Sequence, residues 1–182
     1  MLTLTGTGFE KLIVQMAGYY KRDGVAHISR AGVQAVRNKD EWVVIPSLPD
    51  FEGVLAPRGS QIVFDCKVCS QASFDLSKYR ADTKGSRSRQ LKHMLERADF
   101  GSQCFFLIHW NPRAGKTFQQ PAETVAFPVH ASMEFWKSFE RGEVRSIARA
   151  DCQEHGWPVK WGTVTGGRTL RPLFLEALPE TV

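Results

Sequence analysis

The apolar positions divide this chain into helical and extended stretches. From about Phe9 to Tyr20, the residues Phe9, Leu12, Ile13, Met16 and Tyr20 recur at helical spacing and predict one stripe turned toward a core. Residues 25–45 read as short strands, broken by the charged run Arg37-Asn38-Lys39-Asp40-Glu41 and closing on Trp42-Val43-Val44-Ile45, the pattern of a protruding hairpin. Ala56-Pro57-Arg58-Gly59 has Pro second and Gly fourth, as a type I turn prefers, so residues 50–55 are expected to fold back on residues 61–68. A helix is expected from about Arg87 to Ala98, with Leu91, Met94, Leu95 and Ala98 inward and Gln90, His93 and Arg97 on another face. Cys104-Phe105-Phe106-Leu107-Ile108 is continuously apolar, as a strand covered on both faces of a helix-flanked sheet must be.

The remainder predicts a third helix over Met133 to Phe139 and a short helix-like segment between Val144 and His155. A Gly-rich basic stretch through Gly166, Gly167, Arg168 and Arg171 then leads to an apolar end, Leu173 to Leu178. There is no internal repeat, and no linker is long enough to require a second domain. The 182 residues are read as a single domain with a substantial core, in which 31–49 is a projecting segment and 140–182 a basic extension packed on that core.

Composition narrows the function classes. No apolar run approaches the ~20 residues of a membrane span, and the start of the chain lacks a basic region followed by an apolar stretch. Four unevenly spaced cysteines suit a reducing compartment and free thiols, so a cytoplasmic protein without membrane association is expected. The formal net charge is +5, and residues 78–97 account for all of it, with seven cations against Asp82 and Glu96. Lys78, Arg80, Lys84, Arg87, Arg89 and Lys92 are the candidates for contact with nucleic-acid phosphates. The bland alternative is a solvated helix face.

Candidate chemistry rests on three side chains: Asp50 after Pro49, then Asp65 and Lys67 in an apolar run. Side chains of a strand alternate between faces, so Asp65 and Lys67 emerge on one side while Ile62, Phe64, Cys66 and Val68 take the other. The expected hairpin brings Asp50 across from Asp65. Cleaving a phosphodiester requires concentrated positive charge where the transition state gains negative charge. A hard divalent cation held by one or two carboxylates supplies it, and Lys67 would orient the attacking water or stabilise the transition state as a fixed cation. The alternative is an Asp-x-Lys pair solvated on an edge strand. Glu10 has two readings: with Thr7 it forms a Thr-x-x-Glu capping box, or it is an extra acid of the site.

These residues, in order, resemble the RecU-type Holliday junction resolvases, a branch of the restriction-endonuclease-like PD-(D/E)xK nuclease superfamily. The similarity runs through Gly8-Phe9-Glu10, Asp50-Phe51-Glu52-Gly53, Ile62-Val63-Phe64-Asp65-Cys66-Lys67, Phe74-Asp75-Leu76, Gln90, Phe105-Phe106-Leu107-Ile108 and Phe135-Trp136, then Arg145-Ser146-Ile147 and His155-Gly156. The resemblance implies an α/β fold with a restriction-endonuclease-like core, a central mixed sheet flanked by helices. It implies a homodimer that resolves four-way DNA junctions by paired nicks with Mg²⁺ or Mn²⁺. It assigns Asp50 and Asp65 to the metal, Gln90 to the metal or its water, Lys67 to the transition state and Glu10 to the catalytic set. The chain departs from the family pattern where Asp65 stands for the usual Glu, where Leu48 stands for a Thr, and in a short segment from Ala31 to Pro49 at the place of the family's stalk. Within the nuclease class the alternative is a general or flap-type DNA endonuclease; outside it, a DNA-binding module whose acidic pair is inert.

Two rival motifs are weaker. Ala114-Gly115-Lys116-Thr117 follows an apolar strand as a phosphate-binding loop would, but Trp110 stands where that motif needs Gly and Pro112 lies inside the loop, so no nucleotide cofactor is expected. Cys66-x-x-Cys69 with Cys152-x-x-His155 offers zinc-type ligands, yet Cys66 is expected on the strand face opposite Asp65, as a small buried residue. His27, His93, His109 and His130 have no metal-binding spacing and are expected to be ordinary core or surface residues.

Overall fold

A computed structural model describes residues 3–32, 34–38, 41–45, 49–79, 86–115, 117–130, 133–163 and 170–179. In chain order the elements are α1 (Gly6–Arg22), β1 (Ala26–Arg30), β2 (Gln34–Asn38), β3 (Glu41–Ile45), β4 (Phe51–Leu55), β5 (Ser60–Cys69) and β6 (Ser73–Asp75). There follow α2 (Ser86–Asp99), β7 (Gln103–Trp110), β8 (Arg113–Ala114), β9 (Gln119–Gln120), β10 (Glu123–Pro128), α3 (Met133–Glu140), β11 (Ser146–Ala148) and α4 (Arg149–His155). Three short strands follow, β12 (Trp157–Pro158), β13 (Trp161–Thr163) and β14 (Leu170–Pro172), before a 3₁₀ turn at Leu175–Ala177. Among the described residues no helix is long and apolar enough to cross a membrane.

The centre is a six-stranded mixed sheet in the order β1-β4-β5-β7-β10-β12. Only β5 and β7 run parallel, and α2 makes the crossover between them. The expected α/β architecture is therefore present. One face of the sheet carries α1, whose Phe9, Ile13, Met16, Ala17 and Tyr20 are buried against Ile28, Phe51, Ile62, Phe64, Phe105 and Leu107. Phe174 enters this core from the C-terminal segment, edge-on to Tyr20 at 5.4 Å between ring centroids. The opposite face packs Leu91 and Met94 of α2 and Cys152 of α4 against Val63, Phe106, Ile108, Trp110, Val125 and Phe127. Both faces of β7 are thus covered, which is why its sequence is apolar without alternation.

Three stacked rings fix the register of the site-bearing strands. Phe51 of β4 pairs with Phe64 of β5, which pairs with Phe105 of β7. The ring centroids are 5.2 Å and 5.1 Å apart, with interplanar angles of 13° and 4°. A one-residue slip would break this column and turn every side chain of β5 to the wrong face. Gly53 sets the β1–β4 spacing, since a Cβ there would lie 2.6 Å from the His27 carbonyl oxygen.

Several expectations need correction. Helix α1 starts before Phe9, with Thr5 as N-cap accepting a hydrogen bond from Gly8 N–H at 3.1 Å, so Thr7 and Glu10 do not form a capping box. Residues 56–59 do join β4 to β5, but Gly59 N–H donates to Leu55 C=O at 2.9 Å and Gly59 takes φ +76°, unlike a type I turn over those four residues. The Val144–His155 segment begins as a strand, because β11 pairs with β6 from Ser146↔Asp75 to Ala148↔Ser73 before α4 starts. The hairpin expected from residues 25–45 exists as β2–β3 pairing, preceded by β1, which belongs to the main sheet.

Candidate active site

The ring column places the acids. Phe51 pairs antiparallel with Phe64, so the residue before the one and the residue after the other, Asp50 and Asp65, face each other across the β4–β5 pair. Asp50 is held at two points: Cys66 N–H donates to its Oδ2 at 2.8 Å, and its main-chain carbonyl accepts from Ala31 N–H at 3.1 Å. Asp65 is fully buried, and Lys67 Nζ, on the same face two residues on, forms an ion pair with its Oδ2. The spacing argument for a shared face is borne out. Cys66, between them, packs into the α1 side of the sheet as expected.

Electrostatically this pair is far from neutral ground. Burial pushes the Asp65 carboxyl up to about 8; Lys67 opposes that rise and Asp50 adds to it. Asp65 Oδ2 has Lys67 as its partner, while Oδ1 accepts no hydrogen bond among the described residues. A buried carboxylate with so little compensation is costly unless a further cation joins Lys67. The donor set fits a hard divalent cation, which takes carboxylate oxygens and completes its shell with waters or phosphate oxygens. Among the described residues, no group of three or more His, Cys, Asp and Glu side chains forms a metal cage, so a cation here would rest on the two aspartates.

The remaining candidates lie around this centre. Glu10 Oε2 pairs with Arg30 at 2.9 Å, and the Arg30 guanidinium lies 5.5 Å from the Phe51 ring centroid. Glu10 is close enough for its charge, with those of Asp50 and Asp65, to help hold the Cys66 thiol undissociated, burial being the larger cause. It therefore approaches from the α1 side. Gln90 is half-buried on α2 and, among the described residues, makes no hydrogen bond to Asp50, Asp65 or Lys67. Arg89 and Lys92 are exposed on α2, the latter 3.9 Å from Glu96. Arg80 and Lys84 lie outside the described residues, as do the side chains of Lys78 and Arg87. Arg30 and the Cys66 amide were not identified from sequence. An amide carries no side-chain signature, and Arg30 acquires its place only through the β1–β4 register.

The rival motifs resolve by geometry. Arg113–Ala114 and Gln119–Gln120 pair as a β-hairpin with Gly115 N–H donating to Phe118 C=O at 2.9 Å, not the strand-loop-helix of a phosphate-binding loop. Cys66 and Cys69 belong to opposite sides of the sheet, so one zinc ion cannot take both in this fold. His109 is a core residue, its ring tilted against those of Phe9 and Trp161 at 5.4 Å between centroids, with Nδ1 2.8 Å from Thr124 Oγ1.

Comparison with known proteins locates the chain among relatives. The family model for RecU, recombination protein U, matches residues 4–165. The Holliday junction resolvase RecU of Streptococcus sanguinis strain SK36 is 27% identical over 167 residues, covering 85% of this chain and 74% of that protein. The protein of the same name from Streptococcus gordonii strain Challis gives the same identity and coverage. Among solved structures, Hjc, a Holliday junction resolvase of Archaeoglobus fulgidus, aligns over 83% of this chain and 93% of its own with 19% identity and a TM-score of 0.46.

Proposed function

Since this chain belongs to the RecU family, we propose that it is a metal-dependent DNA endonuclease that resolves four-way junctions by paired nicks. The observation that carries the reading is the buried Asp65 carboxylate, facing Asp50 across a ring-locked register with Lys67 as its ion-pair partner. Asp50 and Asp65 would hold Mg²⁺ or Mn²⁺, with Gln90 contributing to its shell. When bound, the cation would supply Lewis acidity at the scissile phosphate.

The protein groups have separable tasks. The Cys66 amide and the main-chain bond to Ala31 fix Asp50, so the carboxylate is positioned before substrate arrives. Lys67 keeps a positive charge beside the reacting phosphate and stabilises the charge that grows on its oxygens; loss of one such contact typically costs ~10²–10³ in rate. Water attacks in line and no covalent enzyme intermediate forms. Glu10, pinned by Arg30, borders the site as a further acid. The basic first half of α2, with Arg89 and Lys92 exposed, supplies phosphate contacts. The curated relatives are named as junction resolvases, and a homodimer would set two such sites against the twofold symmetry of a junction.

The second reading, a general or flap-type endonuclease, is favoured by the brevity of the segment between Ala31 and Pro49. The two separate on labelled four-way junction, flap, linear duplex and single strand incubated with the protein and Mg²⁺. Symmetric nicks confined to the junction are expected. Equal cutting of all substrates would replace junction resolution with general nuclease activity, and binding without cutting of any would remove the catalytic reading.

A further inference from the structure

The hairpin β8–β9 has no part in the metal-binding carboxylate pair or its Lys67 partner, yet it is built onto the same end of the sheet. Strands β5 and β7 run parallel and finish together at Cys69↔Trp110. The chain then passes through Asn111, whose N–H donates to Cys69 C=O at 2.9 Å and whose Nδ2 lies 3.3 Å from Ser70 Oγ. Lys67 is two residues before Cys69, roughly 7 Å along the strand. The returning leg is equally fixed, because Arg149 Nη2 donates to Pro121 C=O at 2.9 Å and its Nε donates to Glu123 at 2.7 Å. Both roots of the hairpin are therefore anchored in the fold.

Its tip is unusual for a connecting turn. Phe118 is 44% exposed, and its ring lies against Gly115 so closely that a Cβ there would fall 2.3 Å from a ring carbon. The Arg113 guanidinium stands 5.8 Å from the centroid of that ring, and Arg113 has no ion-pair partner among the described residues. A guanidinium held by an aromatic ring keeps its hydrogen-bond donors available in a restricted orientation, which suits bidentate capture of a phosphate. The stretch from Asn111 to Ala122 contains Arg113 and Lys116 and no acidic residue.

We propose that β8–β9 is a DNA-backbone contact beside the proposed reaction site, with Arg113 as the phosphate anchor and Phe118 as the ring that orients it. This inference rests on the nuclease reading only for its substrate. Gly115 is part of the device, since a side chain there would displace the ring.

The test measures binding of a labelled duplex and a labelled four-way junction by fluorescence anisotropy without divalent cation, over a range of salt concentrations. It compares wild type, Arg113→Ala, Arg113→Lys, Phe118→Ala and Lys21→Ala. Lys21 is a charge-matched control in the last turn of α1, at the opposite end of the sheet near Val25 and Ala56. Expected for Arg113→Ala is a salt slope shallower by about 0.9 on duplex, the loss of one phosphate contact, with the slope regained in Arg113→Lys. Phe118→Ala should weaken binding several-fold with the slope nearly unchanged, and Lys21→Ala should match wild type. Wild-type affinity and slope in Arg113→Ala, or the same loss in Lys21→Ala, would overturn the proposal; so would a wild-type protein that binds neither DNA. If the expected pattern appears in a protein that cleaves nothing in Mg²⁺, the hairpin contact stands and the nuclease reading falls.

Discussion

Asp65 and His109 show how one core treats two ionisable side chains. Asp65 is buried beside a cation and an acid, with its carboxyl pushed up to about 8, a cost that bears on the proposed reaction. His109 is buried among rings with Nε2 lacking a hydrogen-bond partner among the described residues. Burial, aided by the charge of Arg149, lowers its pKa to about 4. Below pH 6.5 the unfolded chain binds a proton at this histidine while the folded chain refuses it. Its stabilising contribution is therefore complete above pH 6.5 and is lost as pH falls toward 4, by roughly 3 kcal/mol at most. Urea denaturation at pH 7.5 and pH 5 should show wild type losing more stability than His109→Gln over this interval. An equal loss in both proteins would mean that His109 is not held neutral by the fold.

At the scale of elements, the best-read parts of the sequence are those with local periodicity. The stripe of α1, the inward face of α2, the unbroken apolar run of β7 and the alternation that puts Asp65 and Lys67 on one face all needed only neighbours in the chain. Strand β10 was not anticipated, because Thr124-Val125-Ala126-Phe127 is too short an apolar run to separate strand from helix, and its pairing with β7 decides the matter. Strands β6 and β11, three residues each, exist only through each other across some seventy residues of chain. The capping-box reading of Thr7 and Glu10 fails for a different reason: its spacing is a purely local signal, which does not say where the helix begins. In the fold Thr5 caps and Glu10 goes to Arg30. Thr5→Ala should accordingly cost about 1 kcal/mol and Thr7→Ala almost nothing in denaturant titrations. The reverse order would restore the capping box.

Over the whole molecule, the elements converge on one end of the sheet. Leu4 and Asn111 exchange two hydrogen bonds, at 2.7 and 2.9 Å, so α1 begins beside the end of β7 and brings Glu10 with it. Helix α2 runs back toward the start of β7, which turns its basic first half to the same end as Lys67. Asp65 and Lys67 lie between these helices on β5, and Asp50 immediately precedes β4, strands whose register is fixed by stacked rings. The candidate site is thus the meeting point of the fold's long-range pairings, of which the sequence displayed the residues but not the convergence. Single-turnover cleavage of a labelled four-way junction in Mg²⁺, by wild type, Asp65→Asn and Lys67→Met, with binding measured on the same proteins without divalent cation, tests this site most directly. Wild type should cut, while both variants bind within a few-fold of wild type and cut at least ~100-fold more slowly. Wild-type cleavage rates in either variant would contradict the assignment of chemistry to these residues.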